Sequence, residues 1–408
     1  MAKGHRKKNQ NGNIKETFLN ISILTTFRGM VNSSNVFSNV PEYRNLWNLM
    51  CALTDRLESA TSYLNSHPEL PKTEDDLILY LVYAAMLKDG VYKFYENVYK
   101  TMPPTISNKR WFTDAHGYSI ALFDDANCPT DDVFFEYLRA LAFAHPFGVS
   151  HRKGRIFMSP NEVHYSPWVI AGFHLSSRED DIGLRIYKDN QEGLEDIFIS
   201  FKNLKGYLSE RFNLIKKFIE WGNGKIQEQN NIWKQKKIDR RGGAIEILKN
   251  VCDVLDERFI DHYLIDEAIK ILESSFDEDI NKKAVNALKN KIEQSIESIC
   301  DCLDNLDYEG IENNLGFIYE RPLNLHSSAQ YELEKIFDYL KDERGTCFPG
   351  SNEEWGLIQA NNFYNSYARK YVVIDFVKMT NLQIKILVRA SLFMGVTDER
   401  NASNENNP

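Results

Sequence analysis

The sequence predicts a mainly α-helical protein: a helical bundle with a small antiparallel β-hairpin insertion, followed by further helices. Three observations predict it. Apolar residues recur at three- and four-residue spacing over most of the chain, as in Leu46, Leu49, Leu53, Leu57 and Ala60. Between residues 151 and 202 that period gives way to aromatic and β-branched runs around one hairpin-type connection. Beyond Gly242 and Gly243 the helical period returns, with many charges on the outer faces.

The totals bound the rest. A chain of 408 residues, 43% hydrophobic and 12% aromatic, buries a real core and is not intrinsically disordered. A net charge of −9 argues against a protein that coats nucleic acid with its whole surface, but leaves room for a local basic groove. The longest apolar run, residues 77–87, is too short to span a bilayer and is flanked by charges, so no membrane partner is expected. The polar, basic first 15 residues lack the apolar stretch of a secretory signal. Six cysteines lie scattered without a Cys-x-x-Cys or a zinc-like histidine spacing. The expectation is a cytoplasmic protein with reduced thiols, no metal and no cofactor.

Taken in order, residues 1–40 read as a partly disordered tail and lead-in, and 401–408 as a second tail. Residues 46–64 form a helix that ends before Pro68 and Pro71. Thr73 caps the next one, with Glu74, Asp75 and Asp76 at its positive end; Gly90 weakens it, and Pro103 and Pro104 end it. Residues 107–128 carry no clear period. Thr130, Asp131 and Asp132 then start a helix whose buried stripe is Val133, Phe134, Tyr137, Leu138, Leu141 and Ala142, and which stops at His145 before Pro146. The β insertion occupies about 155–202, with strands at 182–187 and 197–201 flanking a connection at 188–193. Helix returns through Leu204, Leu208, Phe212, Ile215 and Ile219, broken around Gly222 and Gly224. A linker at 239–243 separates a first domain, 41–238, from a C-terminal helical region, 244–400. A turn at 343–350 precedes two last apolar stripes, 362–373 and 382–393, expected to pack back on the first domain.

Helical periodicity and reactive residue types coincide at Arg139 and His145. Histidine titrates in the range that proton transfer needs, and arginine offers a fixed fork of donors to phosphate oxygens. Together they suit metal-free cleavage of RNA. Six residues apart on an α-helix, they are separated by about 120° and about 9 Å, so a compact site calls for two copies of the chain. His151, Arg152, Lys153 and Arg155 follow as a basic loop able to hold phosphates.

Competing readings exist for each feature. Arginine followed by histidine at this spacing is expected about once by chance, and Arg110 with His116 and Arg321 with His326 also fit. A histidine ending a helix also serves simply to bond backbone carbonyls. The basic loop also reads as a solvated turn. A second basic cluster, Lys234, Lys236, Lys237, Arg240 and Arg241 beside Trp233, reads as a charged linker before it reads as a base-stacking site. The pairs Asp124-Asp125 and Asp131-Asp132 read as turn and helix-start acids before they read as metal ligands.

On Arg139 and His145, the sequence resembles the HEPN superfamily, over about residues 40–230 with the β element as an insertion. The resemblance implies an α-helical bundle, a metal-independent ribonuclease and a homodimer, often a toxin or an abortive-infection effector of phage defence with an inhibitory or regulatory protein partner. Active members commonly carry asparagine directly after the arginine; this chain has Ala140. The alternative expectation is a non-catalytic helical protein-interaction module.

Overall fold

The computed structural model describes residues 17–118, 120–189, 193–342 and 350–405. Residues 1–16 of the expected N-terminal tail, the tip of the 188–193 connection and all but the last residue of the 343–350 turn lie outside them. The fold is mainly helical with one four-stranded antiparallel sheet. The chain divides into two compact units, the first ending at Gln227 and the second starting at Glu228.

The first unit starts earlier than its sequence pattern suggested. The expected lead-in holds α1 (Ile21–Ser33), capped by the Asn20 side chain, and α2 (Asn35–Asn39). The amphipathic α3 (Arg44–Ser66) lies along α4 (Glu74–Tyr99). Thr73 caps α4 as expected, accepting the Asp76 amide at 3.1 Å. Gly90, costly in an isolated helix, has a reason here: a Cβ would stand 3.0 Å from Leu53 of α3, so glycine permits the close approach.

Helix α5 (Asp131–Arg139) does not run straight to His145. Residues Ala140–Ala144 form a π-turn, closed by the His145 amide donating to the Ala140 carbonyl at 2.6 Å. The sheet follows as a meander of β1 (Val149–Ser150), β2 (Val163–Ile170), β3 (Asp181–Lys188) and β4 (Leu194–Ser200), each paired with the next. The expected hairpin is β3 and β4, with Leu184 opposite Ile197, and β1 and β2 extend it. Alternation puts Ile182, Leu184, Ile186, Ile197 and Ile199 into the core with Leu77 and Leu81 of α4 and Leu138 of α5. Each such side chain contributes about 1.5–3 kcal/mol by leaving water. Helices α6 (Phe201–Phe212) and α7 (Ile215–Gln235) complete this part of the chain. Contrary to expectation, α7 runs through Gly222 without a break. A Cβ there would fall 2.3 Å from Met30 of α1, so the glycine serves packing between helices.

A buried ionic network ties α4, α5 and α6. Arg211, fully enclosed, donates to Asp132 at 3.2 Å and to Glu210 at 2.7 Å. Asp132 also accepts the hydroxyls of Tyr207 at 2.6 Å and Tyr92 at 2.7 Å. The neighbouring Asp131 accepts backbone amides of Arg110 and Trp111, fixing the irregular segment before the helix. Both acids at this helix start thus have structural duties beyond its dipole.

The second unit contains α8 (Ala244–Glu257), α9 (Tyr263–Glu273), α10 (Asp279–Asp304), α11 (Tyr308–Leu315), α12 (Ala329–Tyr339), α13 (Asn352–Ser366) and α14 (Asn381–Glu405). Its core includes Phe363, Val372, Ile384 and Leu387. The last two apolar stripes therefore contribute to this core. The expected tail from 401 is helical to Glu405, because α14 continues. The presumed linker is anchored: Arg240 pairs with Asp301 at 2.8 Å and Asp304 at 2.9 Å on α10.

Glu267 is buried against Arg389 and Lys270, and Asp342 bridges Lys270 and Lys385. Burial pushes both carboxyls up, but the cations outweigh it and hold each below its usual value. A folded pKa below the unfolded one gives stability that is present above the unfolded pKa and lost as pH falls through the folded one. Urea midpoints are therefore expected to fall as pH drops below about 4.5, the ordinary glutamate value. Glu267→Gln should lower the midpoint at neutral pH and flatten this acid slope; an unchanged slope would refute the assignment.

Candidate active site at the end of α5

Phe134, Phe135, Tyr137 and Leu138 bury most of α5, leaving Val133, Glu136 and Arg139, three residues apart, half-exposed on one stripe. That stripe forms one wall of a cleft of about 490 Å³. Lys88 and Tyr92 of α4 form another wall, and the π-turn, β1 and the loop after it close the rest.

Arg139 and His145 both line this cleft within a single chain. The guanidinium is held by Asp89 at 2.7 Å and Glu136 at 2.9 Å, and its Nε is enclosed without a hydrogen-bond partner. Lys88 completes the ring, 3.1 Å from Asp89 and 2.5 Å from Glu136. Alternating charges thus fix the guanidinium in orientation, whatever their small net contribution to stability. His145 is exposed, in a non-helical conformation (φ −145°, ψ 55°). The wide turn sets this position: its hydrogen bond spans five residues where an α-helix spans four.

The basic loop divides. Arg152, Lys153 and Arg155 line the cleft; His151 is exposed but is not among the lining residues. Arg155 is buried, donates to the Ser150 carbonyl at 2.8 Å and lies over the Tyr137 ring at 5.9 Å. Behind it, the Tyr137 hydroxyl is 2.7 Å from Nδ1 of His164, whose Nε2 lies 3.0 Å from Glu162. Burial lowers the His164 pKa despite Glu162. The cleft wall therefore carries Lys88, Arg139, Arg152, Lys153 and Arg155 against Asp132 and Glu136, a cationic surplus in a chain of net charge −9.

No protein-family model, curated protein or solved structure matches this chain.

The other two arginine–histidine pairs have different surroundings. His116 is buried against Asp181 at 2.8 Å while Arg110 lies over the neighbouring Trp111 ring. His326 pairs with Glu332 at 2.7 Å. In the second basic cluster, Lys236, Arg240 and Arg241 are neutralised by Glu257, by acids of α10 and by Asp239. Asp124 accepts the amides of Ala126 and Asn127, as a turn residue does. Among the described residues, no helix is long and apolar enough to cross a membrane.

Sequence reasoning missed Lys88, Asp89 and Glu136 around the guanidinium, and Glu162 and His164 behind Tyr137. Glu136 stands three residues before Arg139, a helical pairing distance that was available as a signal. The α4 residues come from 48 positions away and more, His164 of β2 from 27, and no local pattern marks them.

Proposed function

We propose that this chain is a HEPN-like, metal-independent endoribonuclease that acts as a dimer, in the manner of a toxin or phage-defence effector. The observation that carries it is the cationic cleft holding Arg139 and an exposed His145 in an otherwise acidic chain. Arg139, Arg152, Lys153 and Arg155 bind the RNA backbone and stabilise the charge that builds on the phosphate. The ribose 2′-oxygen attacks phosphorus, the new P–O2′ bond forms and the P–O5′ bond breaks. One His145 takes the 2′-hydroxyl proton, and His145 of a second copy gives a proton to the departing 5′-oxygen. The π-turn supports the reading, since such turns recur at functional sites.

The test is incubation of the purified full chain with RNA in excess chelator. Cleavage leaving 2′,3′-cyclic ends is the expected result. Intact RNA, or cleavage that needs a divalent ion, defeats the proposal.

A second reading has one observation in its favour. Both terminal nitrogens of Arg139 are already engaged by carboxylates, as in a purely structural ion-pair ring. On that reading the chain is a helical interaction module. It binds a protein partner undiminished by Arg139→Ala and His145→Ala, and cleaves nothing.

A further inference from the structure

The second unit brings together three side chains of a kind that metal ions bind. Cys252 lies on α8, His262 immediately before α9, and Asp266 one turn into α9 on the same face as the histidine. One donor atom from each lies within 4.8 Å of the others. The Cys252 Sγ is 3.7 Å from Asp266 Oδ1, and the His262 Nδ1 is 2.9 Å from Asp266 Oδ2. Neighbouring donors around a tetrahedral zinc ion, with bonds of about 2.3 Å to sulfur and 2.0–2.1 Å to nitrogen and oxygen, stand roughly 3.3–3.6 Å apart. Side-chain shifts below about 1 Å bridge that difference.

We propose that Cys252, His262 and Asp266 form a zinc site that pins α8 to α9.

Two further observations separate this cluster from an ordinary ion pair. Nδ1 of His262 is enclosed and has no properly directed hydrogen bond, although Asp266 stands close by. The other ring nitrogen, Nε2, faces Asp256 at 3.1 Å. A carboxylate there accepts the Nε2 proton and leaves the Nδ1 lone pair facing the cluster, which is the outer-shell arrangement that orients metal-bound histidines. In the metal-free chain an imidazolium shared between Asp256 and Asp266, with the Cys252 thiol donating to Asp266 Oδ1, holds the same contacts, and zinc takes the place of the thiol and Nδ1 protons.

Mixed sulfur, nitrogen and oxygen donors favour zinc over magnesium or calcium, which take oxygen alone. Thiolate and carboxylate together balance the ion's two positive charges. Three protein donors leave a fourth position for water. Burial and the nearby aspartates keep the metal-free thiol protonated, with its pKa pushed up to about 12. Coordination displaces such a proton, since a metal-bound thiol is deprotonated outright. The site is independent of the cleft in the first unit, whose proposed chemistry uses no metal, so the two readings stand or fall separately.

The test uses the full-length chain, metal-stripped and then titrated with Zn²⁺ or with Co²⁺ as a spectroscopic probe. One ion per chain is expected, with the visible bands of a four-coordinate cobalt site and a thiolate-to-cobalt charge-transfer band. Cys252→Ser should abolish the charge-transfer band, and Cys302→Ser should retain it. Asp256→Asn should weaken zinc binding by about 10–100-fold. Asp266→Asn, which keeps the side-chain shape, should lose the rise in melting temperature that zinc gives the parent and guards against misreading an unfolded variant. Substoichiometric zinc, or cobalt spectra indifferent to Cys252→Ser, overturns the proposal.

Discussion

Replacing His145 with alanine is expected to slow RNA cleavage by about 10²–10⁴-fold, the usual worth of a positioned proton-transfer group. Folding should hardly change. The side chain is exposed, and surface substitutions of this kind usually stay within about 0.5 kcal/mol. Arg139→Lys tests the second role, because lysine keeps the charge but loses the rigid fork that Asp89 and Glu136 orient. It should lower kcat far more than it raises KM. Lys153→Ala, which removes only a cation lining the cleft and a proposed phosphate contact, should raise KM and reduce the salt sensitivity of binding. Single-turnover cleavage of a defined RNA measures all three. Should His145→Ala retain more than about a tenth of the parental rate, proton transfer at this residue is excluded.

Asp132→Ala should be the most damaging single change to the first unit. It strands the fully enclosed Arg211 guanidinium and takes the acceptor from Tyr92 and Tyr207. Removing one partner of a buried ion pair costs about 3–5 kcal/mol, because the other charge stays in a low-dielectric interior. For a unit of this size the melting temperature should drop by roughly 10 °C. Asp55→Ala supplies the contrast. Its pair with Arg28 is shorter, 2.8 Å, but the Asp55 side chain is 71% exposed, so the loss should stay below about 1 kcal/mol. Urea unfolding of both variants, followed by fluorescence, measures the difference. Equal effects would mean that Asp132 contributes no more than a surface charge.

Local rules succeeded where the information is local. Thr73, the acids after it and the prolines that end helices are read by neighbours within one turn, and α4 starts where they place it. The hairpin of β3 and β4 is similarly marked by alternation on either side of its connection. Glycine misled, because its helix-breaking tendency is a propensity that tertiary contact overrides. Gly222 lies mid-helix because Met30 needs the space. The apolar stripes near the C-terminus were legible as stripes, but amphipathicity does not say which core receives them, and they joined the second. At the site, Arg139 and the lysine and arginines of the following loop were named from sequence. Lys88, Asp89 and His164, brought by α4 and β2, were not, since only the folded chain brings them near. Cys252, His262 and Asp266 escaped for the same reason: their spacing fits no zinc pattern, and the α8–α9 turn supplies the proximity.

The segment Ala140–Ala144 holds three alanines, a leucine and a phenylalanine, none with a reactive group. What it contributes is a number of residues. Its turn takes one more residue than an α-helix would, and removing that residue would swing the imidazole through about 100° while leaving every reactive side chain in the chain. Apolar exchanges that conserve volume, at the buried Leu141 above all, are mild by comparison. Constraint on this segment therefore falls on insertion and deletion rather than on identity, so that the site is encoded partly as a length.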